Sequence, residues 1–242
     1  MNMAMFANRL DKLSQAISSG RLAKALFRQR VLVGAEHRHM FDATLATVVD
    51  IGANRGQFAL AARRWAPQAR VIAFEPLPGP AGVFRAVFAD DDHVVLHEAA
   101  IGPQAARCEM HVSARDDSSS LLPISGLQSR IFPGTAEVST TEVQVAPLEA
   151  FVSPGELQVP AMLKLDVQGF EYEALAGCES LLPRFDRIYC ECSFVELYSG
   201  QKLAADVIEW LAERGFRIKG MYNPAYDAQG QAVQADFLFQ RG

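Results

Sequence analysis

The chain has 242 residues, half of them apolar, with 23 Lys+Arg against 28 Asp+Glu and a formal net charge of −5. That length and apolar share support one α/β domain with a substantial core, and the mild acidic excess lacks the electrostatic footprint of a nucleic-acid-binding surface. No run approaches the roughly 20 consecutive apolar residues of a membrane span, and the opening MNMAMFANRLDKLSQAISSG has neither the early basic cluster nor the unbroken apolar core of a signal peptide.

Met5, Phe6, Leu10 and Leu13, then Leu22, Leu26 and Phe27, recur at helical spacing, which predicts one or two helices across residues 3–30. Ser18-Ser19-Gly20 marks the break between them. Residues 1–46 thus read as an N-terminal helical extension on a domain spanning 47–242. From residue 47 strand and helix alternate. TVVDIG is a strand, GQFALAARRWA a helix with Pro67 beyond it, ARVIAFEP a strand, residues 79–89 a helix and HVVLHEAAIG a strand. Residues 103–160 break this rhythm as an irregular β insert. RCEMHVS and TTEVQVAPL alternate as strands, and SARDDSSS and GLQSRIFPGT read as loops. The rhythm then returns with AMLKLDV, a helix over GFEYEALAGCESLL, the strand DRIYCECS, and the helix LAADVIEWLAERG stopped by Gly215. FRIKGMY and QADFLFQR close the chain as an antiparallel hairpin whose loop contains NPAYDAQGQ. Cys108, Cys178, Cys190 and Cys192 lack zinc spacing, and they read as inert core thiols of a reducing cytoplasm, with redox or metal chemistry as the alternative.

Repeated strand–helix units imply a doubly wound, mostly parallel sheet with helices on both faces. Such a sheet binds its ligand at the carboxyl ends of its strands. VVDIGANRGQF carries an acid and two glycines at one such end. Gly52 permits a tight turn or a close backbone approach. Gly56 opens the next helix, whose first amides suit a carboxylate or phosphate. Asp50 suits an ammonium group or a water chain, and Asn54 can donate or accept from the loop. Glu75, followed by Pro76, stands 23 residues beyond Gly52, near the roughly 20-residue offset at which a carboxylate takes ribose hydroxyls. A nucleoside cofactor with a charged tail fits these groups. G-A-N-R-G lacks the middle glycine of the dinucleotide fingerprint, and no phosphate-binding P-loop is present. S-adenosyl-L-methionine therefore fits better than a nicotinamide dinucleotide. The plain alternative is an ordinary pair of turn glycines.

VVDIGANRGQFAL, IAFEPLP, AAIG, SSSLL, LKLDVQGFEYEALAG and CECSFVELYSGQ follow one another as in the FkbM family of S-adenosylmethionine-dependent methyltransferases, which the chain resembles from about residue 47 to its end. The resemblance implies a Rossmann-like class I methyltransferase fold of seven strands with the last inserted antiparallel. It also implies O-methylation of a hydroxyl, often on a sugar, a glycan or a polyketide-like metabolite. The family pattern places serines such as Ser119 near cofactor or substrate, and a solvated loop is the alternative. Ala99, Ala100 and Gly102 follow the third strand, where small residues leave room for a flat adenine ring.

Asp166 ends the fourth parallel strand, near the expected methyl group. It reads as a site residue or as a structural acid paired with Lys164. Gln168 and Gly169 shape the turn beyond it, and Glu171 stands at a helix start, where a carboxylate is also simply stabilising. Glu191 ends the fifth strand beside Asp166. It reads as a raised-pKa base, as a half-site for a divalent cation, or as a satisfied acid that orients substrate. The set expected at the cofactor is Asp50, Gly52, Asn54, Gly56, Glu75, Pro76, Ala100, Ser119 and Gln168. Asp166 and Glu191 are expected at the chemistry, with no dedicated metal ligands and a small-molecule or glycan acceptor. Phe194 and Tyr198 are candidates for the acceptor pocket or for packing. NPAY at 223–226 resembles the N-P-P-Y signature of amine methyltransferases, but it lies in the terminal hairpin rather than after the fourth strand. The five histidines form no triad spacing, and His97 alone stands near a strand end of interest. A non-catalytic S-adenosylmethionine-binding subunit and, more remotely, a nicotinamide-dependent oxidoreductase are the competing readings.

Overall fold

The computed structural model describes residues 20–242, so the first expected helix, around Met5 to Leu13, lies outside the described residues. Ten strands follow in chain order: β1 (Thr47–Ile51), β2 (Arg70–Phe74), β3 (Val94–His97), β4 (Ala100–Ile101), β5 (Ala106–Ser113), β6 (Glu137–Ala146), β7 (Ala161–Leu165), β8 (Arg187–Ser193), β9 (Phe216–Tyr226) and β10 (Ala232–Arg241). The helices are α1 (Gly20–Lys24), α2 (Gln57–Trp65), α3 (Pro78–Phe88), α4 (Gly126–Ile131), α5 (Glu171–Gly177) and α6 (Ala204–Glu213). Seven strands form one sheet in the order β3-β2-β1-β7-β8-β10-β9. Its pairs are parallel except those of β10, which runs antiparallel to both β8 and β9. The chain winds outward from β1 to β3 and then crosses back to β7 on the other side of β1. The β1–β7 seam is therefore the switch point, where the carboxyl ends of two central strands part and leave a crevice.

Every residue of β1 and of β7 is buried, as strands covered on both faces must be. Alternation divides them between two cores. Val49, Ile51, Leu163 and Leu165 pack with Leu175 of α5 and Leu211 of α6. Val48 and Met162 pack on the other face with Phe58 and Leu60 of α2 and Phe84 of α3. Asp50 and Lys164 are paired in register, on the α2 side.

The N-terminal segment departs from a simple helix. After α1 it makes one π-helical turn (Ala25–Gln29) and a 3-10 turn (Ala35–Met40), and it buries Val31, Val33 and Met40 in the α2-side core. HVVLHEAAIG is not one strand: β3 stops at His97, and β4 joins a separate three-stranded sheet of order β4-β6-β5. Part of the expected loop over 126–135 is helix α4, started by Ser125, whose Oγ accepts from the Gln128 amide. The helix expected over 169–182 ends at Gly177 and continues as a 3-10 turn, Glu179–Arg184. NPAY belongs to strand β9 rather than to the hairpin loop, and the turn begins at Asp227.

Candidate active site

A crevice of about 280 Å³ opens at the carboxyl ends of β1, β2 and β7. Gly52, Asn54, Glu75, Pro76, Ala100, Ser119, Asp166 and Gln168 all line it. Asp50, Gly56 and Glu191 do not. Gly52 has φ +78°, and a Cβ there would stand 1.9 Å from the Asp166 carbonyl oxygen, so only glycine lets the β1 and β7 ends approach this closely. The amides from Gly52 to Gly56 all donate within the protein: to Phe74 O twice, to Glu75 Oε2, to Asn54 Oδ1 and to Ala53 O. The loop is thereby fixed without a ligand.

Glu75 is the fixed carboxylate of this half. Oε2 accepts from the Asn54 amide at 2.9 Å and Oε1 from the Leu77 amide at 2.8 Å. Each oxygen keeps one further lone pair on a group that lines the crevice. Burial pushes its pKa up to about 7, against the lowering pull of those two amides. Leu77, Ala100, Ile101, Met110 and Leu121 supply an apolar wall beside it.

Asp50 lies behind the crevice with no exposed surface. Lys164 Nζ stands 3.1 Å from its Oδ1, yet neither carboxylate oxygen has a hydrogen bond of good geometry among the described residues. The ammonium donates instead to Gly52 O at 2.8 Å, with Asp166 Oδ2 at 3.8 Å. Burial pushes Asp50 upward while Lys164 pulls it back. Burial acts to lower Lys164, but Asp50 and Asp166 outweigh it and hold the ammonium charged. Lys164 thus ties Asp50 to Asp166, and the ammonium partner foreseen for Asp50 is one of the protein's own side chains.

Beyond β7 the chain turns through Gln168 and Gly169, both at positive φ. A Cβ on Gly169 would stand 2.8 Å from the Tyr198 ring. Glu171 is buried and accepts from the amides of Val167 (2.9 Å) and Gly169 (3.2 Å), so it clamps this turn. Burial pushes its pKa up to about 7. The turn aims Gln168 Nε2 between two acids, donating to Asp166 Oδ1 at 2.8 Å and to Glu191 Oε2 at 2.9 Å. Tyr198 donates to Gln168 Oε1 at 2.7 Å and fixes the amide's orientation. Gln234 donates to the other Glu191 oxygen at 2.7 Å. Burial first, and then Asp166 and Asp236, raise the Glu191 pKa well above the usual carboxylate range. Glu191 lies inside β8, opposite Asp236, rather than at the strand's end. Among the described residues no group of three or more His, Cys, Asp or Glu is arranged to hold a metal ion.

Two further cavities meet the crevice at Asp166. One, of about 330 Å³, has Glu36, His37, Lys164, Tyr189, Glu191, Asn223, Gln234 and Asp236 in its wall. The other, of about 270 Å³, has Arg115, Asp117, Gln128 and Phe132 beside Glu191 and Gln234. Asp166 alone among the described residues lines all three. The sequence singles out none of His37, Tyr189, Asn223, Gln234 and Asp236 as a site residue. Asp236 did carry a signal, an acid within the apolar run ADFLF. His37 carried none, since its segment has no periodicity. His97 packs its ring against Phe74 and Phe151 and does not line the crevice. Ser119 lines the crevice, and its Oγ accepts from the Ser113 amide. Tyr198 is buried as a support for Gln168, and Phe194 packs against Phe237. All four cysteines are free, three of them buried.

A doubly wound sheet of this strand order, with its site at the β1–β7 switch point, defines a class I methyltransferase fold. Solved structures agree on the fold. The FkbM methyltransferase of Methylobacillus flagellatus KT is similar with a TM-score of 0.51 at 14% identity, covering 84% of this chain and 50% of that one. Sp1610 of Streptococcus pneumoniae, solved in complex with S-adenosyl-L-methionine, is similar with a TM-score of 0.50 at 12% identity, covering 86% and 71%. The profile described as "Methyltransferase FkbM domain" matches residues 50–218, and the chain belongs to that methyltransferase family. A curated relative, the 2-O-methyltransferase NoeI of Sinorhizobium fredii, is 30% identical in an alignment of 165 residues that covers 64% of this chain and 66% of the relative. No helix among the described residues is long and apolar enough to cross a membrane.

Proposed function

We propose that the protein transfers a methyl group from S-adenosyl-L-methionine to a hydroxyl oxygen of a small polar acceptor, of the sugar or glycan class. The observation that carries this reading is the position of Asp166, shared by the crevice and the two adjoining cavities that contain Glu191. The crevice fits the methyl donor chemically. Glu75 offers two fixed carboxylate oxygens to a ribose diol, and the apolar wall from Leu77 to Leu121 suits a flat base. The bound donor supplies an electrophilic methyl group on a sulfonium. The cavities beyond Asp166 are rimmed by amide, carboxyl, imidazole and phenol groups, which suit an acceptor with several hydroxyls better than an apolar one. The similarity to NoeI, a 2-O-methyltransferase, supports transfer to a hydroxyl oxygen.

In this reading Asp166, with Lys164 behind it and Gln168 beside it, holds the acceptor hydroxyl in line with the methyl group. Positioning of this kind supplies much of the rate of a displacement. Glu191 has both oxygens engaged by amides and acts as an orienting group. The test is radiolabelled methyl transfer to a panel of methyl pyranosides, simple polyols and phenols, with and without chelator. Turnover of a pyranoside, insensitive to chelator, is the expected result. Asp166→Ala should then lower kcat by about 10²–10³-fold, with the Kd for S-adenosylhomocysteine within threefold of wild type. Near-wild-type turnover in that variant rejects the role of Asp166.

A further inference from the structure

Methyl transfer to a hydroxyl oxygen releases a proton that needs an acceptor at the site. Glu36, His37, Lys164 and Asp166 are the described residues common to the crevice and the larger polar cavity. Among these, Lys164 is a protonated donor, and Asp166 already accepts from Gln168. His37 is held by two aromatic residues. Its ring meets Phe58 edge-on at 5.2 Å and Tyr189 at 5.5 Å, and its Nδ1 lies 3.1 Å from the Tyr189 hydroxyl.

The hydrogen bonds around Tyr189 fix which imidazole nitrogen carries the proton. Asp236 Oδ2 accepts from the Asn223 amide at 2.7 Å and lies 2.6 Å from the Tyr189 oxygen. That carboxylate oxygen accepts the hydrogen bond of the phenol as well, while the Asn223 amide also donates to the phenol oxygen at 3.3 Å. The phenol has one hydrogen, so its oxygen is left as an acceptor toward His37. Nδ1 must then be the protonated nitrogen, and Nε2 keeps its lone pair on a ring that lines both cavities. Glu36 Oε1 stands 4.0 Å from Nε2, too far for a hydrogen bond but close enough to favour an imidazolium once formed.

We propose that His37 is the general base of the transfer and that Tyr189 and Asp236 are positioning residues that fix its tautomer. The proposal rests on the hydroxyl-acceptor reading. The acceptor O–H bond breaks as its proton passes to Nε2, and an oxygen lone pair forms the new bond to the methyl carbon. The carbon–sulfur bond breaks with its electron pair retained by sulfur. The products are a methyl ether, S-adenosylhomocysteine and an imidazolium, so the positive charge moves from sulfonium to His37. The proton then leaves to solvent. Burial lowers the His37 pKa, against Glu36 in its own turn, Asp236 on β10 and Asp166 beyond β7, and with Lys164 on β7. The imidazole is therefore neutral at and above neutral pH.

Two measurements test this. The first needs no acceptor. In protein labelled with ¹⁵N-histidine and saturated with S-adenosylhomocysteine, the His37 resonances at pH 7.5 should show a protonated Nδ1 and a bare Nε2. Tyr189→Phe should weaken that preference. A protonated Nε2 at pH 7.5 overturns the proposal, whatever the acceptor proves to be. The second uses the methyl pyranoside turned over fastest in the panel. His37→Asn keeps an amide donor toward Tyr189 but lacks Nε2. It should lower kcat by about 10²–10⁴-fold, remove the acid limb of the kcat–pH profile, and leave the Kd for S-adenosylhomocysteine within threefold. Tyr189→Phe should lower kcat less and shift that limb. A kcat within fivefold of wild type with the acid limb intact overturns the proposal. If His37→Asn fails to fold, the tautomer and the Tyr189→Phe pH profile decide it. If wild type methylates no pyranoside, polyol or phenol, the hydroxyl reading fails by itself, and the tautomer still decides whether Nε2 is a base.

Discussion

The two halves of the sheet's carboxyl rim are built differently. On the β1–β2 side the key carboxylate, Glu75, is held by backbone amides 21 and 2 residues away in sequence. On the β7–β10 side the polar groups hold one another by side chains. Gln168 spans to Glu191 across 23 residues, Tyr189 to Asp236 across 47, and His37 to Tyr189 across 152. Backbone-held groups keep their geometry when a neighbouring side chain changes, because the donors belong to the loop itself. A side-chain network instead changes as a unit.

The largest expected effect lies on the seam between the halves. Lys164→Met leaves Asp50 buried without its cation, and should cost about 3–5 kcal/mol in urea unfolding. Asp50→Leu combined with Lys164→Met should recover most of that loss. If the single variant unfolds like wild type, the seam is not held by charge.

A smaller effect separates the halves directly. Glu75→Gln should weaken S-adenosylhomocysteine by about tenfold to a hundredfold in calorimetry while sparing the pH profile of kcat. The wild-type affinity should rise with pH up to about 7, as the Glu75 carboxyl ionises and can accept from both ribose hydroxyls. The stability of the free protein should move the other way. Glu75 and Glu171 titrate at about 7 when folded, against an ordinary 4.5. Between those values the folded state binds more protons than the unfolded one, so their contribution to stability falls as pH rises through that window and levels off above it. An affinity independent of pH would remove Glu75 from the ligand.

The smallest effect is a control on the outer sheet. Arg107 and Glu142 pair at 3.0 Å with side chains 74% and 62% exposed. Arg107→Ala should change stability by less than about 0.5 kcal/mol. A larger loss would mean that the three-stranded sheet contributes more than its solvated face indicates.

The amino-acid sequence alone determined the alternation of strands and helices, the antiparallel hairpin at the end, and the membership of Gly52, Glu75, Asp166 and Gln168 in one crevice. Those are local signals. Hydrophobic period sets the elements, and a doubly wound sheet brings its strand ends together whatever the loops contain. It misread HVVLHEAAIG as one strand, because apolar residues on both sides of Glu98 obscure the change of sheet. It read GLQSRIFPGT as loop, because a short helix leaves no periodicity. Only the tertiary structure decided that Asp50 faces Lys164 rather than a ligand, that Gln168 stands between Asp166 and Glu191, and that His37 meets Tyr189, which in turn bonds Asp236, in the wall of a polar cavity beside Asp166. Each of these depends on where side chains from remote segments end up. Sequence spacing carries no record of that, because it follows from register, strand order and packing, which form only when the whole sheet does.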